Sequence, residues 1–141
     1  MDKEKTTANA IASPGSAQTS QAAARLSVLV VDDEENFLTL LNWYLTQQGY
    51  EVYTAASADE AFGILQGHPI DIALLDIKLG GRDGLSLLDQ VNEQSPGVKV
   101  VMMTAYPTVS SIKQAFDKGA ARYLTKPVDL QELGEALKIL S

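Results

Sequence analysis

The sequence has no cysteine, a single histidine and fewer basic than acidic residues. Without cysteine the chain cannot form disulfide bonds or a zinc or redox site built on thiolates. One histidine, His68, cannot build a metal site with several histidines. Eleven basic residues against eighteen acidic ones give a net charge of −7. This argues against direct binding of nucleic acid, because such binding depends on Lys and Arg contacts with phosphates.

Long apolar runs are also missing from the chain. No stretch of roughly 18 apolar residues occurs, so a membrane span is not expected. The first ten residues, MDKEKTTANA, lack the apolar stretch that is typical of a secretory signal. Together with the absence of cysteine, these observations predict a cytoplasmic protein that has no membrane partner.

Two regions of different composition divide the 141 residues. Residues 1–25 are mainly small or polar, with Ile11 isolated among them. A segment of this kind buries too little apolar surface to offset its ordering entropy, so we predict a disordered N-terminal tail. Residues 26–141 carry sixteen of the eighteen acidic residues and are long enough for one domain with a sizeable core.

Residues 26–141 alternate between short apolar runs and stretches with a helical period. The runs predicted as strands are 26–31, 50–55, 71–76, 98–104 and 121–125. Strands that are apolar on both faces are typical of a parallel sheet covered by helices on both sides. We therefore predict an α/β fold, a flavodoxin-like doubly wound sheet of five parallel strands in the order 2-1-3-4-5, with five helices.

Local sequence signals predict where helices begin and which side chains they bury. Ser57 with Glu60 and Asp129 with Glu132 have the spacing of helix caps, and Pro107 is expected to open the fourth helix. The apolar residues expected to face the core from the first and fourth helices are Phe37, Leu41, Tyr44, Leu45, Ile112 and Phe116.

Polar side chains follow the predicted strands at one edge of the sheet. They are Asp32 and Asp33 after strand 1, Asp76 at the end of strand 3, Thr104 at the end of strand 4 and Lys126 after strand 5. In sheets of this type, ligands bind outside the carboxyl ends of the strands, at the switch point between strands 1 and 3. Three carboxylates, one hydroxyl and one ammonium group are therefore expected to converge there.

This set of groups favours phosphoryl transfer assisted by a metal ion. Clustered carboxylates repel one another unless a cation joins them, and Mg²⁺ prefers such oxygen ligands. Lys126 could bind one oxygen of a phosphoryl group and Thr104 could donate a hydrogen bond to another. The carboxylate of Asp76 could then act as a nucleophile and form an aspartyl phosphate.

At these positions the chain resembles the receiver domain of two-component response regulators. The resemblance covers residues 26–141 and rests on four motifs in order, VLVVDDE, LLDIKLGGRDG, MMTAY and YLTKP. The segment MMTAYPTVSSIKQAFDKGA is also similar to receivers of the nitrogen-regulator class. Such receivers often precede an ATPase domain and a DNA-binding domain, so the chain is expected to be a stand-alone receiver or part of a longer regulator.

The resemblance implies a phosphoacceptor and a metal site. Asp76 would receive a phosphoryl group from a sensor histidine kinase or a phosphotransfer protein. Asp33 would bind Mg²⁺ directly, Asp32 partly through water, and the backbone carbonyl of Lys78 would complete the protein ligands. The domain would assist its own phosphorylation and dephosphorylation without being an enzyme in the ordinary sense.

The resemblance also implies a switch. Thr104 and Tyr123 would form the switch pair, and Lys126, before a cis bond to Pro127, would bind the phosphate. The face formed by helix 4, strand 5 and helix 5 would change shape and control an output domain or an effector protein. One departure from the family pattern lies after Asp76, where Leu79 and Gly80 replace the usual Met-Pro pair.

Several of these residues could instead have ordinary structural roles. Asp32 and Asp33 could cap the first helix, Thr104 could cap the helix near Pro107, and Tyr123 could be an ordinary half-buried sheet residue. Two other classes of protein use related sites: phosphatases similar to haloacid dehalogenases, and flavin-binding modules. The sequence around Asp32 lacks the Asp-x-Asp pattern of the former, its acidic residues would repel a flavin phosphate, and no Walker A pattern occurs.

Overall fold

Five parallel strands form the central sheet of this protein, whose computed structural model describes residues 25–79 and 82–141. The strands are β1 (Ser27–Val31), β2 (Glu51–Ala55), β3 (Ile72–Asp76), β4 (Lys99–Thr104) and β5 (Arg122–Thr125). Their order is β2-β1-β3-β4-β5, and all neighbours pair in parallel. The predicted flavodoxin-like sheet is confirmed. The predicted tail lies outside the described residues, apart from Arg25.

Five helices alternate with these strands. They are α1 (Glu35–Gln47), α2 (Ala58–Gly67), α3 (Gly84–Gln94), α4 (Val109–Asp117) and α5 (Leu130–Leu140). A small antiparallel pair, Lys78–Leu79 with Arg82–Asp83, lies between β3 and α3. Within the described residues, no helix is long and apolar enough to cross a bilayer.

The central strands are apolar on both faces because each face has its own core. Leu29 and Leu75 pack in the core beneath α2, α3 and α4. Val28 and Leu74 pack in the opposite core, beneath α1 and α5. Alternating side chains of a strand point to opposite faces, so continuous apolar runs are needed to fill both cores. This sandwich fixes the ends of β1, β3, β4 and β5 at one edge of the molecule.

The helix starts agree with the sequence signals at two places and differ at a third. Ser57 Oγ accepts the Glu60 N–H at 3.2 Å, and Asp129 Oδ1 accepts the N–H groups that open α5. The prediction that Pro107 opens the fourth helix is wrong. Thr108 caps α4 instead, because its side chain accepts the Ser111 N–H at 3.0 Å while the Ser111 hydroxyl accepts the Thr108 N–H at 3.2 Å.

Two of the predicted core positions are also different in the structure. In α1 the fully enclosed face is made by Leu38, Leu41 and Leu45, whereas Phe37 is half-buried and packs against the edge of the same core. In α4, Ala115 is buried and the side chain of Phe116 is 47% exposed. Neighbouring positions on a helix differ by about 100° in direction, so the apolar pattern alone does not decide which of two adjacent residues faces the sheet.

Candidate functional site

The ends of three central strands place polar side chains in nearly enclosed positions. Asp32 follows β1 and is fully buried, Asp76 is the last residue of β3 and is 6% exposed, and Thr104 is the last residue of β4 and is 2% exposed. Since β1, β3 and β4 are parallel and lie in the inner part of the sheet, their carboxyl ends meet at one edge. Burying a polar group lowers the stability of the fold unless the group has hydrogen-bond or charged partners. We therefore expect such partners around these three side chains.

Three carboxylates form the acidic part of this edge. Asp32, Asp33 and Asp76 each offer one oxygen, and these oxygens lie within 4.8 Å of one another. Asp32 Oδ1 accepts the Glu34 N–H at 2.9 Å, and Asp76 Oδ1 accepts the Lys78 N–H at 3.0 Å. Glu34 takes the N-cap position of α1. Capping of α1 therefore does not explain why Asp32 is turned into the cluster.

Lys126 supplies the positive charge next to these acids. Its ammonium donates to Asp76 Oδ2 at 3.0 Å and also to Asp32 Oδ2. The same ammonium lies 4.8 Å from the centre of the Phe37 ring, within the range of a cation–π contact. The peptide bond from Lys126 to Pro127 is cis, as the family resemblance implied. Phe37 thus borders the site, although its sequence position indicated only a core role.

The electrostatics of Asp76 and Lys126 follow from this geometry. Burial raises the pKa of Asp76, and the hydrogen bonds from Lys126 and from the Lys78 amide only partly oppose this. For Lys126, burial lowers the pKa, but the hydrogen bonds to Asp32 and Asp76 outweigh it and the net pKa is raised. The ammonium therefore stays charged, while the ionised form of Asp76 would gain from a further cation.

A cleft of about 250 Å³ opens over the acids and is large enough for a small anion. Its lining residues are Asp33, Asp76, Lys78, Thr104, Ala105, Tyr106 and Lys126. Across its mouth, the Lys78 ammonium lies 5.0 Å from the centre of the Tyr106 ring. The cleft thus combines carboxylates, a hydroxyl and ammonium groups at and just after neighbouring strand ends. From the sequence, Lys78 and Tyr106 are expected to flank the site, and both line this cleft.

Thr104 and Tyr123, the predicted switch pair, occupy different surroundings. Thr104 Oγ1 lies in the cleft wall and accepts the Tyr106 N–H at 3.1 Å. Tyr123 is half-buried on β5, and its hydroxyl lies 3.0 Å from Ser111 Oγ on α4. The phenol thus bonds to a helix rather than lining the cleft. The interpretation of Thr104 as a helix cap is wrong, since Thr108 has that place.

The donor set fits a hard divalent cation. Mg²⁺ binds carboxylate and carbonyl oxygens and keeps several waters, so it needs only a few protein ligands. The three clustered carboxylates provide such oxygens, and a cation beside Asp76 would stabilise its ionised form against the burial that raises its pKa. The residues present therefore suit Mg²⁺.

Gly84 is a structural requirement of the site that the sequence did not reveal. A Cβ atom at this position would lie 2.0 Å from the Asp76 carbonyl oxygen and 2.8 Å from the Ile77 Cα. The Gly84 N–H also donates to the Ile77 carbonyl at 2.6 Å. The start of α3 therefore packs directly on the backbone that carries Asp76, and only glycine permits this approach.

Substitution of Gly84 by alanine should displace the Asp76 loop. We expect a loss of about 1–3 kcal/mol in the free energy of unfolding, the range for overpacking, together with weaker Mg²⁺ binding. Denaturant unfolding and Mg²⁺ titration measure the two effects. Gly63→Ala in α2 is the matched control, because nothing lies within 4 Å of its Cβ position. Equal behaviour of the two variants would disprove the packing role of Gly84.

Comparison with known families gives the identity of the domain. Residues 28–138 match the family described as the response regulator receiver domain. The chain belongs to this family. Receiver domains are the phosphoacceptor switches of two-component signalling, typically bind Mg²⁺ at an acidic pocket, and act in response regulators that interact with histidine kinases and output domains.

Two relatives show the range of this receiver's similarity. It is 39% identical over 106 residues to the alginate biosynthesis transcriptional regulatory protein AlgB of Pseudomonas aeruginosa, covering 75% of this chain and 24% of that protein. It is 32% identical over 111 residues to the sporulation initiation phosphotransferase F of Bacillus subtilis, covering 79% and 90%. AlgB is a regulator of the nitrogen-regulator class, and the receiver spans about a quarter of its length.

Solved structures share the fold of the receiver. A CheY-like receiver domain protein of Methanospirillum hungatei superposes with a TM-score of 0.79 at 33% identity, covering 82% of this chain and 93% of that one. A response regulator of Burkholderia pseudomallei, crystallised with a phosphorylated aspartic acid, a calcium ion and citrate, gives a TM-score of 0.76 at 31% identity, covering 79% and 66%.

Proposed function

We propose that Asp76 is the phosphoacceptor of this receiver and that a sensor histidine kinase or a phosphotransfer protein supplies the phosphoryl group. The observation that carries the proposal is the position of Asp76, whose carboxylate lies 3.0 Å from the Lys126 ammonium and within 4.8 Å of two further carboxylates. The phosphorylated aspartic acid of the similar Burkholderia regulator supports it.

The transfer is an in-line displacement. A carboxylate oxygen of Asp76 attacks the phosphorus, an oxygen–phosphorus bond forms, and the bond from phosphorus to the imidazole nitrogen of the donor breaks. The electron pair of that bond stays on the departing imidazole. Asp76 must be ionised to attack, and the positive charges around it favour that form.

Asp33 would bind Mg²⁺ directly, Asp32 partly through water, and Asp76 and the backbone carbonyl of Lys78 would complete the protein ligands. When bound, Mg²⁺ supplies positive charge that neutralises the phosphoryl oxygens and the acids. The calcium ion in the Burkholderia regulator is consistent with a hard cation at such a site.

Lys126 and Thr104 act on the transferred group. The Lys126 ammonium leaves its bonds to the acids and binds a phosphoryl oxygen as a point charge. The Thr104 hydroxyl, which lies in the cleft wall, donates a hydrogen bond to another oxygen. As Thr104 moves toward the phosphoryl group, Tyr123 occupies the space that it leaves, and the face formed by α4, β5 and α5 changes shape.

The changed face would control an output domain or an effector protein. The similarity to AlgB, a transcriptional regulatory protein, favours control of transcription through a separate part of a longer regulator. The receiver itself is acidic, with a net charge of −7 over the whole chain, so we assign no nucleic-acid contact to it. We also assign it no turnover of a free substrate.

Labelling with a small phosphodonor tests the proposal. Incubation with acetyl phosphate and Mg²⁺ should add roughly 80 Da, the mass of one phosphoryl group, and Asp76→Asn should abolish the adduct in the intact-mass spectrum. Asp89→Asn is the matched control. Asp89 lies on α3, and its exposed side chain forms an ion pair with Lys118. An adduct that survives in Asp76→Asn, or that is missing from the native chain, would contradict the assignment.

A further inference from the structure

The hydroxyl of Tyr123 is tied to the first turn of α4. It lies 3.0 Å from the Oγ atom of Ser111, the third residue of that helix. Tyr123 is half-buried on β5, which neighbours β4 in the sheet. The contact therefore joins an edge strand to the helix that follows Thr104 and the site.

Ser111 Oγ also has hydrogen-bond partners on Thr108. Ser111 Oγ donates to the Thr108 carbonyl at 3.1 Å and accepts the Thr108 N–H at 3.2 Å. A serine hydroxyl has one proton and can accept two bonds. With its proton on the Thr108 carbonyl, Ser111 can accept the remaining bond from the Tyr123 O–H. Ser111 thus uses its full hydrogen-bonding capacity in this arrangement.

The same turn is connected to the cleft through a short loop. Thr104 ends β4, Thr108 caps α4, and between them Thr104 Oγ1 accepts the Tyr106 N–H at 3.1 Å. Movement of Thr104 toward a phosphoryl group breaks this bond. Movement of the Tyr123 ring into the vacated space would break its bond to Ser111, because the hydroxyl would leave α4. On the proposed switch, the Ser111 bond would therefore be confined to the unphosphorylated arrangement.

We propose that Ser111 is a positioning residue that holds Tyr123 in its resting orientation and so sets how readily phosphorylation moves α4. The inference rests on the proposed switch role of Tyr123. It adds a residue that belongs neither to the acidic pocket nor to the switch pair. Ser111 acts through the tyrosine and contacts no reacting atom.

A bond present in one of two states shifts the equilibrium between them when it is removed. Ser111→Ala should therefore favour the activated arrangement and tighten binding of a phosphoryl analogue. The expected gain is about two- to tenfold, the range that one neutral hydrogen bond covers. Tyr123→Phe removes the same bond from the other side and should give a similar gain. The double variant should gain no more than either single one.

Calorimetric titration with beryllofluoride at fixed Mg²⁺ measures this affinity, and acetyl phosphate labelling of the same variants reports on Asp76. Ser111→Thr keeps the hydroxyl and should restore the native affinity. Ser110→Ala is the control on the same turn, because Ser110 Oγ bonds to Gln114 Nε2 at 3.0 Å instead. It should leave the affinity unchanged.

The outcomes separate this inference from the proposed function. If all variants are labelled on Asp76 but Ser111→Ala binds the analogue no more tightly than the native chain, only the role of Ser111 fails. Effects of Ser111→Ala and Tyr123→Phe that add in the double variant would also overturn it, since independent effects would mean that the two residues do not act through their shared bond. If no variant and not even the native chain is labelled or binds the analogue, the proposed function fails and the inference with it.

Discussion

Lys126→Met should lower the free energy of unfolding by about 3 kcal/mol when Mg²⁺ is absent, the lower end of the range for breaking a buried ion pair. The reason lies in Asp32, which is fully buried and whose carboxylate accepts a bond from the Lys126 ammonium. Without Lys126, Asp32 and Asp76 face each other with no cation between them. Added Mg²⁺ should stabilise the variant more than the native chain, because it would replace the missing charge.

Urea unfolding with and without Mg²⁺ measures both parts of this prediction. Lys113→Met is the matched control, since Lys113 pairs with Asp117 on the surface and both side chains are more than half exposed. Exposed ion pairs of this kind contribute little to the free energy of unfolding. If Lys126→Met has the same urea midpoint of unfolding as the native chain, the proposed role of Lys126 in the site electrostatics is wrong.

Asp33→Asn should weaken Mg²⁺ binding by roughly tenfold or more, since the loss of even an outer-sphere partner typically costs that much. Labelling of Asp76 by acetyl phosphate should slow in parallel. Asp33 is the exposed member of the acidic cluster and lines the cleft, so its carboxylate is accessible to a hydrated cation. The amide of asparagine keeps the shape but removes the charge that the cation needs.

Calorimetric titration with Mg²⁺ and the time course of labelling check this prediction together. Glu35→Gln removes the same charge in the first turn of α1 and serves as the control. A variant at Asp33 that binds Mg²⁺ as tightly as the native chain would exclude it as a ligand. Equal losses in both variants would mean that only the overall negative charge matters.

Most residues of the candidate site can be predicted from the sequence, because in a parallel sheet the residues that end neighbouring strands lie at the same edge. Asp76 ends β3 and Thr104 ends β4, and in a doubly wound sheet such strand ends meet at one edge. Five short apolar runs and the rule of right-handed crossovers leave few strand orders, and the common flavodoxin-like order is the one observed. The alternation of apolar runs with helical stretches therefore predicts both the fold and the convergence of the acids, the hydroxyl and the ammonium.

Some contacts cannot be predicted from the sequence, because they join residues that do not belong to a common motif or periodic pattern. Phe37 lies beside the Lys126 ammonium, and Gly84 packs on the Asp76 backbone at a distance that only coordinates reveal. The start of α4 was misjudged because Thr108 and Ser111 cap each other, which outweighs the preference of proline for a first helical position. That same capping pair explains why Ser111 is placed to bind Tyr123.

The most direct test of the central claim is a crystal structure of the receiver with Mg²⁺ and beryllofluoride. We expect the beryllium to be bonded to a carboxylate oxygen of Asp76, with fluorine atoms contacting the Lys126 ammonium and the Thr104 hydroxyl. We also expect Mg²⁺ on Asp33. An analogue bound at another residue, or bound to Asp76 with Lys126 and Thr104 turned away from it, would contradict the claim that these strand ends act on a single phosphoryl group.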